Sequence, residues 1–165
     1  MQIRPELLSD QSAIHSLTVA AFKNAPHSNQ TEARIIDRLR MAGALTISLV
    51  AIEADNLVGH VAVSPVMITQ AIGNWYGLGP VSVRPDRQRR GVGAALIRNG
   101  LERLVALNAA GCVVLGEPGY YGRFGFESDA ELYYGEAPRS YFQRLIFHGS
   151  SPKGEVTYHL GFDTL

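Results

Sequence analysis

Between Val81 and Ala94 the chain runs Val81-Ser82-Val83-Arg84-Pro85-Asp86-Arg87-Gln88-Arg89-Arg90-Gly91-Val92-Gly93-Ala94. An apolar stretch feeds a charged loop, and two glycines open a segment that continues as Ala94, Ile97, Leu101, Leu104 and Val105 on one helical face. The first amides of a helix have no intrahelical partner and carry the positive end of its dipole, so they suit a bound phosphate. Gly91 and Gly93 would let phosphate oxygens approach the backbone, because no Cβ stands in the way. Arg89 and Arg90 add positive charge beside them. The dinucleotide fingerprint is missing, since bulky Leu96 holds the place of its third glycine, and no Walker A sequence occurs. A diphosphate that is neither a dinucleotide nor a nucleoside triphosphate leaves coenzyme A as a candidate ligand.

Other reactive side chains lack the settings that would make them primary. His15, His27, His60, His148 and His159 are scattered without paired metal-ligand spacing, so no metal is expected. Ser64 and Ser82 are outside any G-x-S-x-G nucleophile elbow. Cys112 lies in the apolar run Cys112-Val113-Val114-Leu115, where a thiol is usually inert.

The elements that must position the loop follow from periodicity and punctuation. Gln2 to Pro5 reads as a short strand, and Ser9 as an N-cap for a helix over 10–22. Asn29 and Glu32 have capping-box spacing for a second helix, which Gly43 ends. Strands are expected over 46–53, over 57–69 with a bulge or break at Gly59 and Pro65, and over 76–83. The long helix after Gly93 is expected to stop at Gly111 and lead into the Cys112 strand. A short helix over 118–124 and strands near 141–147 and 155–160 complete the chain. The order predicts a mixed α/β fold: an antiparallel meander, then one right-handed crossover.

The chain has 165 residues, 46% hydrophobic and 18% charged, and its 15 Lys and Arg balance 15 Asp and Glu. That fits one globular domain over 1–165 and excludes a disordered or strongly basic nucleic-acid-binding protein. A single cysteine permits no intramolecular disulfide, and Met1 to Leu8 lacks a signal-peptide core. No apolar run reaches the roughly 20 residues that span a bilayer, so a cytoplasmic protein without membrane partners is expected.

Gln88-Arg89-Arg90-Gly91-Val92-Gly93 matches the Gln/Arg-x-x-Gly-x-Gly/Ala signature of the GNAT N-acetyltransferases. Tyr120-Tyr121-Gly122-Arg123-Phe124-Gly125-Phe126 resembles the Tyr-x-x-x-Gly-Phe element of the same family, in the right order. Leu78-Gly79-Pro80 and Glu117-Pro118 look most like its YhbS-like branch. The resemblance is firmest from Leu78 to Phe126. It implies a GNAT acyltransferase fold, a mixed sheet of about seven strands with about four helices, whose fourth and fifth strands splay. It implies acetyl-coenzyme A as co-substrate, an amine as acceptor, and a possible homodimer.

The resemblance also assigns roles. The pantetheine arm would lie along Val81, Ser82 and Val83, and the loop Gln88, Arg89, Arg90, Gly91, Val92, Gly93 and Ala94 would wrap the pyrophosphate. Pro80 fits a bulge that aims an amide, for which Val81 is the candidate, at the thioester carbonyl; losing such a donor costs about a hundredfold in rate. Tyr121 matches the tyrosine that protonates the leaving thiolate. Glu117 is the first candidate for the base, and Glu32, on the helix lining the acceptor side, is the second. Many relatives carry Asn where this sequence has Glu117-Pro118-Gly119, a departure within the cofactor site. Direct attack of the amine on the thioester is the expected mechanism. Two other readings stay open: a non-catalytic acyl-coenzyme A binding domain, and an interaction protein whose glycines merely start a helix.

Overall fold

The computed structural model describes residues 1–163. Its elements are β1 (Gln2–Pro5), α1 (Gln11–Phe22), α2 (Glu32–Met41), β2 (Ile47–Glu53), β3 (Asn56–Gln70), β4 (Trp75–Val83) and α3 (Val92–Ala106). There follow β5 (Gly111–Leu115), α4 (Pro118–Tyr121), β6 (Glu127–Ser128), β7 (Leu132–Tyr133), β8 (Phe142–Ile146) and β9 (Lys153–Tyr158). The strands run in the order β1-β2-β3-β4-β5-β8-β6, with β9 also on β3 and β7 on β9. All neighbours are antiparallel except β4–β5 and β7–β9.

Among the described residues the sheet has nine strands rather than about seven. The two extra ones, β6 and β7, have two residues each, too few for an alternating pattern to show. Helix α3 covers one face, burying Leu96, Ile97 and Leu104 against Leu49, Val61 and Val63, each side chain worth roughly 1.5–3 kcal/mol of transfer free energy. Helices α1 and α2 cover the other face, with Ile14 and Ile36 on Val50 and Ala62.

Strand β3 is the spine. Along one side it pairs with β4, and along the other it pairs with β2 up to Val63 and with β9 from Val66. Pro65, which has no N–H to donate, sits where that second side changes partner. The bulge expected near Gly59 is present, at the register shift between Ala51 and Ile52.

Three local expectations are corrected. Ser9 does not cap α1: residues Leu8–Asp10 form a 3₁₀ turn in which the Asp10 carboxylate accepts from the Leu7 amide and pairs with Arg4. Asn29 and Glu32 form no capping box, because Asn29 accepts from Thr31 while Ser28 donates to Glu32. Helix α3 ends at Ala106, and Asn108 just beyond it, in the left-handed region at φ 62°, turns the chain before Gly111 is reached. Gly111 begins β5 instead, where a Cβ would run into the Trp75 ring and the Leu145 carbonyl.

A polar cluster is enclosed between β2, β3 and α2. His60 is fully buried, with Nε2 2.7 Å from Ser48 Oγ. The Ser48 hydroxyl donates to Glu6, which Arg40 also holds through two N–H bonds of 2.8 and 3.0 Å. Burial, reinforced by Arg40 and opposed by Glu6, pulls the His60 pKa from 6.5 down to about 4. The unfolded chain therefore takes up a proton that the fold refuses. Stability should be full above pH 6.5 and fall as the pH drops toward 4, by roughly 3 kcal/mol. Urea midpoints measured from pH 7.5 to 4.5 would show the slope, and His60→Gln should remove most of it. An unchanged slope in that variant would refute the assignment.

Candidate active site

Strands β4 and β5 stay together only from Trp75 to Gly77, opposite Gly111 to Val113. Beyond Gly77, β5 keeps β8 as its partner while β4 continues alone on that side to Val83. The expected splay is therefore present. A bulge adjoins it: Val61 faces Val81 and Val63 faces Leu78, so Gly79 and Pro80 together oppose Ala62.

The ladder fixes which backbone groups face the opening. The Arg84 amide donates to the Val58 carbonyl at 2.8 Å, which makes Gly59–Val83 a non-hydrogen-bonded pair. By alternation, Ser82 turns its N–H and C=O toward β3, whereas Val81 and Val83 turn theirs into the gap beside β5. Gln88 Nε2 donates to the Val83 carbonyl at 3.1 Å, as that orientation requires.

The gap opens into a cleft of about 1010 Å³. Its walls include Val81, Val83, Gln88, Arg89, Gly91, Gly93 and Ala94, so one cavity gathers most of the expected cofactor residues. Tyr121 lines it from α4. At the start of α3 the Ala95 amide is the first to bond back, to the Gly91 carbonyl at 3.0 Å. The amides of Val92, Gly93 and Ala94 precede it and have no intrahelical acceptor. Arg89 (φ 63°) and Gly91 (φ 85°) are both left-handed and turn the chain so that it enters the helix. A Cβ at Gly91 would meet no protein atom within 4 Å, and the residue lines the cleft. The cradle thus fits a phosphate-bearing ligand on its own geometry.

Residues 2–128 match the family model described as an acetyltransferase (GNAT) domain. The chain is a member of the GNAT acetyltransferase family. The N-acetyltransferase YhbS of Escherichia coli (strain K12) is 34% identical over 128 residues, covering 77% of this chain and 74% of YhbS. A crystal structure of YhbS from Escherichia coli in complex with CoA superposes with a TM-score of 0.87 at 31% identity, covering 99% of this chain and 92% of that one. A GNAT family acetyltransferase from Brucella melitensis, solved in complex with acetyl-CoA, superposes with a TM-score of 0.87 at 49% identity, over 98% and 97% of the two chains.

Within this GNAT protein several candidate residues have other duties. Glu117 is the N-cap of α4: its carboxylate accepts from the amides of Gly119 (2.9 Å) and Tyr120 (2.7 Å) and it does not line the cleft. Glu32 accepts from Ser28 Oγ at 2.7 and 2.8 Å and is also outside the lining. Ser82 is buried, with its hydroxyl donating to Thr18 Oγ1 at 3.1 Å, on the face away from Val81 and Val83. The Val92 side chain is buried in the core, leaving only its amide at the cradle. Arg90 is exposed at the rim but outside the lining. Gln88 lines the cleft with its side-chain amide tied to Val83, which closes the base of the loop.

Tyr121 does line the cleft. Its ring packs against Gly116 and lies edge-on to Tyr120 (5.0 Å) and Phe126 (6.0 Å). Burial pushes the phenol's pKa up, so it holds its proton throughout the neutral range. Burial likewise pushes the Cys112 thiol up, consistent with an inert core residue.

Sequence reasoning missed a further wall of the cleft, formed by Phe22 at the end of α1 and by Asn24, Ala25 and Pro26 after it. Only the fold brings that segment to β4, and no local motif marks it. Arg123 was in plain view within the Tyr120–Phe126 block but was given no part; it too lines the cleft.

Proposed function

We propose that this chain is a cytoplasmic, single-domain N-acetyltransferase that moves an acetyl group from acetyl-coenzyme A to a primary amine of a small molecule or a protein. One observation carries the reading: β4 parts from β5 beside the unpaired amides of α3, with the Tyr121 phenol at the opening. Acetyl-coenzyme A supplies the acyl group as a reactive thioester. The amides of Val92 to Ala94 hold its pyrophosphate, aided by Arg89. The Val81 backbone, aimed into the gap beyond the Gly79–Pro80 bulge, holds the arm and donates to the carbonyl oxygen as negative charge develops there. Tyr121 donates its proton to the departing thiolate.

The proton of the acceptor leaves by another route. Among the described residues no carboxylate or histidine lines the cleft, and both candidate carboxylates are engaged elsewhere. We assign its removal to solvent at the mouth, so kcat/KM should rise with pH toward the acceptor's own pKa. No helix among the described residues is long and apolar enough to cross a membrane.

The test is thiol release from acetyl-coenzyme A across a panel of small amines, peptides and lysine-bearing proteins. Amine-dependent release is the expected result. Tight binding of the cofactor with no release from any acceptor would favour the non-catalytic acyl-coenzyme A binding domain.

A further inference from the structure

The charges around the cleft are unevenly matched. Arg84 and Arg87 are neutralised by Asp86 and Glu53, at 2.6 and 3.0 Å. Among the described residues, Arg89, Arg90, Arg98 and Arg123 have no carboxylate partner. Two of these unpaired guanidinium groups, those of Arg89 and Arg123, line the cleft itself. Arg123 and Arg98 are held in place by aromatic rings: Arg123 lies 4.6 Å from the Tyr120 ring centroid, and Arg98 lies 4.8 Å from that of Phe124. The two rings pack edge-on, 5.5 Å apart, and form one platform between α3 and α4. The Tyr120 hydroxyl reaches over the cradle, 3.2 Å from where a Cβ on Gly93 would stand. Stacking fixes the guanidinium plane in advance, so little freedom is lost when it meets an anion.

Coenzyme A carries two anionic groups, a pyrophosphate and a phosphomonoester on the 3′ position of its ribose. In the reading above the amides of α3 hold the first, which leaves the second without a partner. We propose that Arg123, oriented by Tyr120, binds the ribose 3′-phosphate and makes the site selective for coenzyme A over its 3′-dephospho form. This rests on the acyl-coenzyme A reading above. Arg123 is the contacting group, Tyr120 is a positioning residue, and Arg98 contributes field from behind the platform.

The experiment is titration of the full chain with coenzyme A and with 3′-dephospho-coenzyme A, in wild type, Arg123→Ala, Tyr120→Leu and Tyr120→Phe. Wild type should prefer coenzyme A by about tenfold or more, as charge-assisted bonds to phosphate imply. Arg123→Ala should remove most of that preference by weakening coenzyme A alone, leaving the dephospho form within about threefold of wild type. Tyr120→Leu should lose part of the preference, and Tyr120→Phe, which keeps the ring, should retain it. The preference should shrink as salt rises. Equal weakening of both ligands by Arg123→Ala would place that side chain on the pyrophosphate and overturn the proposal, as would no weakening at all. Failure of wild type to bind either ligand would instead refute the acyl-coenzyme A reading itself. Melting curves of each variant separate these outcomes from misfolding.

Discussion

Gly91→Val is expected to weaken coenzyme A binding by about a hundredfold or more, the difference between placing and losing the phosphate cradle. Gly91 is left-handed at φ 85°, and a Cβ there meets nothing of the protein within 4 Å. Gly91 lines the cleft directly before the free amides, so an added side chain is expected to crowd the approach of phosphate oxygens. Backbone strain adds on the order of 1–2 kcal/mol of lost stability. Gly43 separates the two effects, since it is also left-handed (φ 68°) with open space at its Cβ, but it ends α2 away from the cleft. Gly43→Val should lower the melting temperature similarly and bind coenzyme A normally. Calorimetric titration of both variants decides the matter, and normal binding by Gly91→Val would mean that the α3 amides do not hold the ligand.

Tyr121→Phe should lower kcat by about a hundredfold or more, the range for a lost general acid, while the Kd for coenzyme A stays within about twofold. The variant keeps the ring that packs on Gly116, Tyr120 and Phe126, so the cleft retains its shape. Only the proton is removed. Because burial raises the phenol's pKa above its ordinary value of 10.0, Tyr121 stays protonated as the pH rises through 10 and causes no loss of rate below that point. The pH profile of wild type should therefore show the ascending limb of the acceptor alone. Single-turnover and steady-state rates across pH 6–10 would test this. A small effect on kcat, or a large one on Kd, would reassign Tyr121 to packing.

The cradle was legible because its signals are local. A charged loop, two spaced glycines and an apolar 3.6-residue repeat meet within a few positions, and they fold into Gly91, Gly93 and α3 as read. The splay was legible only through family resemblance, since nothing in Leu78 to Val83 says that β5 will turn away. The capping role of Glu117 was hard to see because the residue belongs to two patterns at once. It stands at the end of a strand, where a catalytic carboxylate could sit, and directly before Pro118-Gly119, where a helix needs a cap; the backbone amides claim it. The orientation of Ser82 was hidden for a different reason. Alternation along a strand puts only every second residue on the cleft side, and the neighbours Val81 and Val83 take it. The Phe22–Pro26 wall comes from α1, across the sheet, and such a non-local approach leaves no trace in spacing.

The parting of β4 from β5 also gives the protein an exposed strand edge inside its own sheet. Unsatisfied edges usually invite other polypeptides, and proteins blunt them with charges, prolines or short strands. Here the edge is a blind slot: the Trp75–Gly77 pairing closes one end, and α4 and the residues after α1 flank the other. An edge closed at one end and flanked at the other differs from the open outer edge on which chains add strands. The same hydrogen-bonding deficit that would promote aggregation on an outer strand is thereby kept inside the cleft.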